Sequence, residues 1–413
     1  MANGKDLDAV LAYKAGLAAA DVIIGEKKGR ILIGKDTRRS GDMLESAIAA
    51  GICAAGCDVV LAGIVPTPAV AYLIKECGFD AGVMISASHN PAQDNGIKVF
   101  NDQGFKISEE LEASIERKID DYENIGLKTG EFIGTVKRDY ELIDKYVKYV
   151  LSINSIDRNI KVLIDCANGS AALTAGRLFD GADIINRETD GLSINKGCGS
   201  TYINNLSARV KRGGYDIGFA FDGDADRCLA VDDCGGIICG DRIICILADY
   251  LKKDAVAVTK LSNIGLHKFC AERNIKVEQT EVGDRFVLER MIEKDIKIGG
   301  EQSGGIIALD YVPTSDGQII ARLILEAMKK SDRRSSEIFG AMRVYPQVSR
   351  NVKVANEFKK KIISDAQVLA AVGRIEDKLD GTGRVILRPS GTEPLIRIMI
   401  EGESLEKIEE YAK

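Results

Sequence analysis

Short apolar runs alternate along this chain with amphipathic stretches of helical length, the pattern of α/β domains. Three of them open alike. "RILIGKDTRRSG" from Arg30, "KVLIDCANGSAA" from Lys161 and "AVAVTKLSNIGL" from Ala255 each read as a buried strand, a polar loop and a helix start. This weak repeat predicts three related α/β domains with mixed sheets rather than one large sheet. The longest uncharged run, Val59 to Ile74, contains Pro66 and Pro68 and divides into strand, turn and helix rather than a membrane span. The polar segment from Glu109 to Asp144 carries the helix that closes the first unit. Beyond Pro346 the pattern changes to one helix near Ala355 to Gly373 and two strands around "RPSGTEP", a smaller C-terminal α+β domain. The expected division is 1–134, 135–236, 237–344 and 345–413.

Length and charge narrow the function. A chain of 413 residues holds two to four ordinary domains. A net charge of -6 without a run of Lys and Arg argues against a nucleic-acid surface, so an anionic substrate needs local help from arginines, backbone amides or a metal. The opening "MANGKDLDAVLAYKAG" has no continuous apolar block, so no secretory signal or membrane partner is expected, and the reading is cytoplasmic. The 10 cysteines form no CxxC pair, which fits reduced thiols better than disulfides or a zinc site. Cys166 and Cys245 lie in apolar runs, where a thiol is a small hydrophobe.

Candidate chemistry sits in four loops. "ISASHNPAQDNGIKVF" places Ser88 and His89 in a polar turn between two apolar segments, a common turn composition taken alone. "IGFAFDGDADRCLAVDD" sets Asp222, Asp224 and Asp226 at alternate positions after an apolar strand, so three carboxylates converge on one side of an extended loop. Two carboxylates roughly 4 Å apart at an effective dielectric of about 20 repel by about 4 kcal/mol, so the three together imply a bound cation. Oxygen-only ligands point to Mg2+ or a similar hard ion. A calcium EF-hand needs glycine where Arg227 stands and glutamate where Asp233 stands, and fails at both. An aspartyl-phosphate phosphatase, with Asp222 as nucleophile, is a further rival. "IGGEQSGGIIAL" holds Glu301 and Ser303 among glycines, suited to gripping sugar hydroxyls. "VILRPSGTEPLIRIMIEG" gathers Arg388, Ser390, Gly391, Thr392 and Arg397, the donors that a phosphate dianion needs. No P-loop or GxSxG elbow is present.

In this order, "SASHNP", "DGDADR", "GEQSG" and "RPSGTEP" resemble the four signature loops of the α-D-phosphohexomutase family. Gln302 in "GGEQSG", together with "LSNIGLH" and "VGDRFV", resembles its glucosamine-phosphate branch. The resemblance implies an intramolecular phosphotransferase of amino-sugar metabolism, supplying cell-wall precursors. Its substrate would be a hexosamine phosphate. Ser88 would give a phosphoryl group to glucosamine 6-phosphate, glucosamine 1,6-bisphosphate would turn over in the cleft, and the opposite phosphate would return to Ser88. Mg2+ would be held by Ser88 through its phosphoryl group and by Asp222, Asp224 and Asp226. Lys98 would be the general acid or base, with a pKa lowered by cations or burial. His89 would flank the phosphoserine without activating it, and Arg227 would contact the phosphoryl group. Glu301, Ser303 and Arg285 would bind sugar, and Arg388, Ser390, Gly391, Thr392 and Arg397 phosphate. Arg38 could be interdomain or structural. A homodimer is open.

Two departures bear on activity. Members usually carry a "GTDGIRG"-like turn near the start, where this sequence begins "MANGKDL", and a histidine where Gly305 stands. The expectation is therefore a chain that binds phosphosugar better than it turns it over. The alternatives are a phosphomannomutase or phosphoglucomutase using the same residues, or a catalytically weakened phosphosugar-binding homologue.

Overall fold

The computed structural model describes residues 1, 2, 4, 7–390 and 394–412. It contains four sheets. The first comprises β1 (Arg30–Lys35), β2 (Asp58–Ile64), β3 (Ala81–Ile85), β4 (Ile97–Asn101) and β5 (Val136–Arg138), in the order β4-β3-β1-β2-β5. The second has β6 (Val162–Asp165), β7 (Asp183–Ile185), β8 (Ile217–Phe221), β9 (Cys228–Asp232) and β10 (Ile237–Ile238), in the order β10-β9-β8-β6-β7. The third has β11 (Ala255–Thr259), β12 (Lys276–Thr280), β13 (Ile298–Gly300) and β14 (Ile306–Ala308), in the order β12-β11-β13-β14. The fourth is antiparallel, with β17 (Leu395–Glu401) between β15 (Gln347–Lys353) and β16 (Arg384–Pro389).

The three expected openings are β1, β6 and β11, and each is the inner strand against which two others pair in parallel. Helices therefore cover both faces, which is why these strands read as unbroken apolar runs. In each sheet the chain then reverses, so β3–β4, β8–β9 and β13–β14 are antiparallel pairs. Each signature loop of the first three sheets is the reversal between such a pair. One buried cluster runs from Val70 and Met84 through Tyr146, Ile164 and Phe219 to Val258 and Ile320, so the three sheets share a common packed base for these loops.

Three details differ from the sequence reading. The division expected at 134 falls just before β5, which still pairs with β2. The single helix expected near 355–373 is two helices, Asn356–Ile363 and Ala366–Leu379. The Asp365 carboxylate accepts from the amides of Gln367 and Val368 and starts the second one, a capping signal within an otherwise helical pattern. The fourth sheet also has a third strand, β15, whose mostly exposed residues give no apolar run. Among the described residues no helix is long and apolar enough to cross a membrane.

Candidate active site

The β3–β4 reversal carries Ser88, whose backbone lies in the left-handed region at φ 51. A non-glycine residue there carries roughly 1–3 kcal/mol of strain and persists only when its surroundings fix it. They do. Ser86 Oγ accepts from Ser88 N at 2.9 Å and donates to Asp36 Oδ2 at 2.7 Å. Arg38, fully buried and ion-paired to Asp36 at 2.9 Å, donates to the carbonyls of Ser88, Asn90, Pro91 and Asp94. Arg38 is thus a loop-holding residue. From the second sheet's side, Asn195 Nδ2 also donates to the Ser88 and Asn90 carbonyls. Ser88 Oγ then donates to Asp222 Oδ2 at 2.6 Å.

Asp222, Asp224 and Asp226 each present an oxygen, all within 4.8 Å of one another. All three are buried. The Oδ1 atoms of Asp224 and Asp226 are buried without a hydrogen-bond partner, as ligand atoms for a cation would be. The donor set contains neither nitrogen nor sulfur, so the residues present fit a hard divalent ion. Burial, and after it the charges of Asp226 and Asp224, push the Asp222 carboxyl well above its usual range. Thr67, from the first sheet's side, donates its hydroxyl to Asp224 Oδ2 and orients that carboxylate. The loop also needs a glycine. A side chain at Gly223 would put its first carbon 2.7 Å from the Ser88 carbonyl.

Lys98, on β4, donates to Asp224 Oδ2 at 2.6 Å and to Asp226 Oδ2 at 3.0 Å. This corrects one expectation. Burial lowers its pKa, but the two carboxylates outweigh burial and hold it well above the ordinary lysine value. Asp226 moves the other way. Burial raises its carboxyl, and Lys98, Lys106 and Arg227 bring it below the usual range. His89 Nδ1 lies 3.5 Å from Ser88 Oγ, at the outer limit of a hydrogen bond, and burial and Arg227 lower its pKa. A neutral, distant imidazole suits a flanking position.

The third loop is stitched to the second. Arg227 and Gly305 form an isolated antiparallel bridge, and Cys228 N donates to the Gly304 carbonyl at 2.9 Å. Glu301 is half-buried, and burial and the charge of Asp284 raise its carboxyl pKa. Ser303 is exposed. Gly305 is buried and accepts from Glu301 N, so backbone contacts order it. A first side-chain carbon there would meet only Glu301 Oε2, at 3.9 Å. Arg285 is ion-paired with Glu289 at 2.9 Å and with Glu109 at 3.4 Å. It lines a cavity that also contains Lys98 and Lys106.

In the fourth sheet Arg388 and Arg397 are direct partners across β16 and β17. Like charges placed opposite each other repel. Burial and Arg397 pull the Arg388 guanidinium below its ordinary pKa. Both arginines line a cavity of about 260 Å³ with Gln302 of the third loop, Ser349, Asn351 and Met399. Ser390 is buried, and its carbonyl accepts from Lys359 Nζ at 2.7 Å. Gly391 and Thr392 lie outside the described residues.

Sequence reasoning missed Thr67 and Asn195. Both act across the interface between sheets, and neither a threonine between two prolines nor an asparagine in a loop gives a signal of that.

Residues 1–125, 144–235 and 239–345 match, in turn, phosphoglucomutase/phosphomannomutase alpha/beta/alpha domains I, II and III, and residues 350–413 match the C-terminal domain of the same family. Over 420 residues the chain is 46% identical to the phosphoglucosamine mutase of Clostridium botulinum (strain Alaska E43 / Type E3), covering 98% of this chain and 94% of that protein. The phosphoglucosamine mutase of Caldicellulosiruptor bescii is 46% identical over 427 residues, covering 99% and 94%. A phosphoglucomutase/phosphomannomutase family protein from Burkholderia thailandensis superposes with a TM-score of 0.83 at 25% identity, covering 99% of this chain and 93% of the other. Aspergillus fumigatus N-acetylphosphoglucosamine mutase, solved with GlcNAc-6P and magnesium, shares the fold with a TM-score of 0.62 at 18% identity, covering 84% and 91%.

Proposed function

Because the chain belongs to the phosphoglucomutase/phosphomannomutase family, we propose that it interconverts glucosamine 6-phosphate and glucosamine 1-phosphate, with Ser88 carrying the phosphoryl group between turnovers. The observation that carries this reading is the 2.6 Å contact of Ser88 Oγ with Asp222 inside a buried cluster of three carboxylates. The glucosamine preference rests on the relatives that are 46% identical over nearly the whole chain.

Asp222, Asp224 and Asp226 are the residues to hold Mg2+, which supplies charge neutralisation at the transferring phosphoryl group. The chain's own groups do the rest. Asp222 accepts the Ser88 hydroxyl hydrogen and fixes the direction of Oγ. Lys98, held charged by Asp224 and Asp226, serves as a cation beside the transferring group, and Arg227 adds a second positive charge. Glu301 and Ser303 take the sugar hydroxyls. Arg388, Arg397, Ser390, Gly391 and Thr392 grip the phosphate that is not being transferred. With one serine and one anion grip, a 1,6-bisphosphate presents either end to Ser88 by turning in the cleft. Positioning and positive charge are what a loose, in-line transfer requires.

Intact mass and peptide mapping of the protein after incubation with glucose 1,6-bisphosphate test the reading. Acid-stable phosphate on Ser88 is expected. Acid-labile phosphate on Asp222 would replace it with the phosphatase reading. Turnover of glucosamine 6-phosphate should exceed that of mannose 6-phosphate and glucose 6-phosphate. The same reading takes the enzyme as cytoplasmic and allows a homodimer, which sedimentation would settle.

A further inference from the structure

Four hydrogen bonds converge on two carbonyls of the Ser88 loop. Arg38 Nη2 donates to the Ser88 and Asn90 oxygens at 2.9 and 2.8 Å, and Asn195 Nδ2 donates to the same two oxygens at 2.8 and 3.0 Å. Each nitrogen carries two hydrogens and each carbonyl two lone pairs, so the square is saturated. Arg38 comes from the same α/β unit as the loop, but Asn195 comes from the next one, in the loop that follows β7. That loop is anchored to the first unit again nearby, by the amide of Arg39 donating to the Gly191 carbonyl at 3.1 Å.

We infer that Asn195 is a positioning residue for phosphoryl transfer, which clamps the strained Ser88 backbone from the neighbouring unit and so aims Ser88 Oγ at the carboxylate cluster. This deepens the mutase reading and rests on it. Asn195 itself adopts a left-handed φ of 59, is 5% exposed, and leaves its Oδ1 buried without a partner. Turning the amide over would set Oδ1 against two carbonyl oxygens, so the orientation is fixed by donation alone. A buried, unpaired acceptor is a cost to stability. The compensation is at Ser88, where φ 51 and the 2.6 Å contact to Asp222 require a fixed backbone. The same amide nitrogen would lie 3.0 Å from a first side-chain carbon at Gly223, so it also sits against the loop that carries the three aspartates. A shift of the serine by about 1 Å is enough to cost on the order of a hundredfold in rate.

The test uses the full chain with Mg2+, comparing the parent with Asn195→Gly and Asn195→Asp. Glycine removes the clamp without adding strain at a positive φ. Aspartate keeps the shape but loses the donor. For glucosamine 6-phosphate, both variants should lose about tenfold to a hundredfold in kcat, with KM and Mg2+ affinity within twofold of the parent. Phosphorylation of Ser88 by glucose 1,6-bisphosphate, followed by intact mass, should slow by the same factor. A kcat within twofold of the parent in either variant overturns the inference, as does a loss that appears in KM alone. A parent that neither turns over nor takes phosphate on Ser88 overturns the mutase reading and this inference with it. An active parent with unaffected variants overturns only the inference.

Discussion

Lys98 Nζ lies 2.6 Å from Asp224 Oδ2, so the amine on the strand after the Ser88 loop and a carboxylate of the neighbouring sheet's loop are one ion pair. The pair joins two functions that look separate along the chain. Lys98 is charged because Asp224 and Asp226 are there, and the carboxylates can lie together in part because Lys98 is there. On the mutase reading, the positive charge beside the transferring group and cation binding are therefore coupled.

The coupling predicts opposite effects from one substitution. Lys98→Gln removes a positive charge that opposes a divalent cation, and unit charges about 4 Å apart at an effective dielectric near 20 interact by about 4 kcal/mol. Mg2+ should bind about tenfold tighter or more by calorimetry, while turnover falls at least about a hundredfold through loss of a preorganised cation beside the transferring group. Weaker Mg2+ binding in this variant would show that Lys98 supports the carboxylate cluster rather than competing with the metal.

At Ser88, chemistry and backbone preference conflict. Glycine adopts φ 51 freely and alanine does not, and both lose the bond to Asp222, so Ser88→Gly should resist unfolding better than Ser88→Ala by about 1 kcal/mol. Both variants should be inert and take no phosphate from glucose 1,6-bisphosphate. Thermal melts beside intact mass check this, and an alanine variant more stable than the glycine one would mean that the strain is not where φ puts it.

What the sequence made legible follows from how local each feature is. The alternate aspartates 222, 224 and 226 lie in one loop, so their nearness was legible, but the extended backbone expected there is instead a turn, with Ala225 at φ 58 and its amide donating to the Asp222 carbonyl at 3.1 Å. The strands β1, β6 and β11 read as apolar runs because both of their faces are covered. The pKa of Lys98 was read in the wrong direction because its partners sit on another sheet, and spacing along β4 says nothing about them. Arg38 could not be told from an interdomain arginine until its four carbonyl acceptors were in place. Asn195 gave no signal, since one loop asparagine looks like any other.

Arg388 is expected to act on capture. Removing a charge-assisted contact to phosphate typically costs roughly 1.5–3 kcal/mol. Arg388→Ala should therefore raise KM for glucosamine 6-phosphate by about tenfold to a hundredfold with little change in kcat. Relief of the repulsion between Arg388 and Arg397 should at the same time leave the substrate-free protein no less stable. A change confined to kcat would put Arg388 beside the transferring group instead.

Asp241 gives a pH dependence. Burial raises its carboxyl pKa to about 6, from an ordinary 3.8. The folded state therefore holds this proton more tightly than the unfolded state. The resulting stability is fully present below the ordinary value and is lost as pH rises through about 6. A shift of about two units corresponds to roughly 3 kcal/mol. Asp241→Asn has no proton to lose, so its melting temperature should fall less than the parent's between pH 5 and pH 7. Parallel profiles for the two proteins would show that Asp241 does not titrate in this range.

Gly305 tests whether the departure in the sugar loop limits the rate. The expectation from sequence is a chain that binds better than it turns over, because histidine is the usual residue there. The structure removes two objections to restoring it. The φ of Gly305 is not left-handed, and a first side-chain carbon would have only Glu301 Oε2 near it, at 3.9 Å, so the base of a side chain is accommodated without moving backbone. The loop is also already ordered by the Arg227–Gly305 bridge and by Glu301 N. Any gain from Gly305→His must therefore come from the imidazole as a donor rather than from a stiffer loop. A preorganised donor at a transition-state site is commonly worth about a hundredfold to a thousandfold in rate. Steady-state kinetics of Gly305→His should show kcat rising toward that factor with KM nearly constant. If the parent already turns over at about ten per second or more, and the histidine adds nothing, then Gly305 does not limit the rate and the expectation fails.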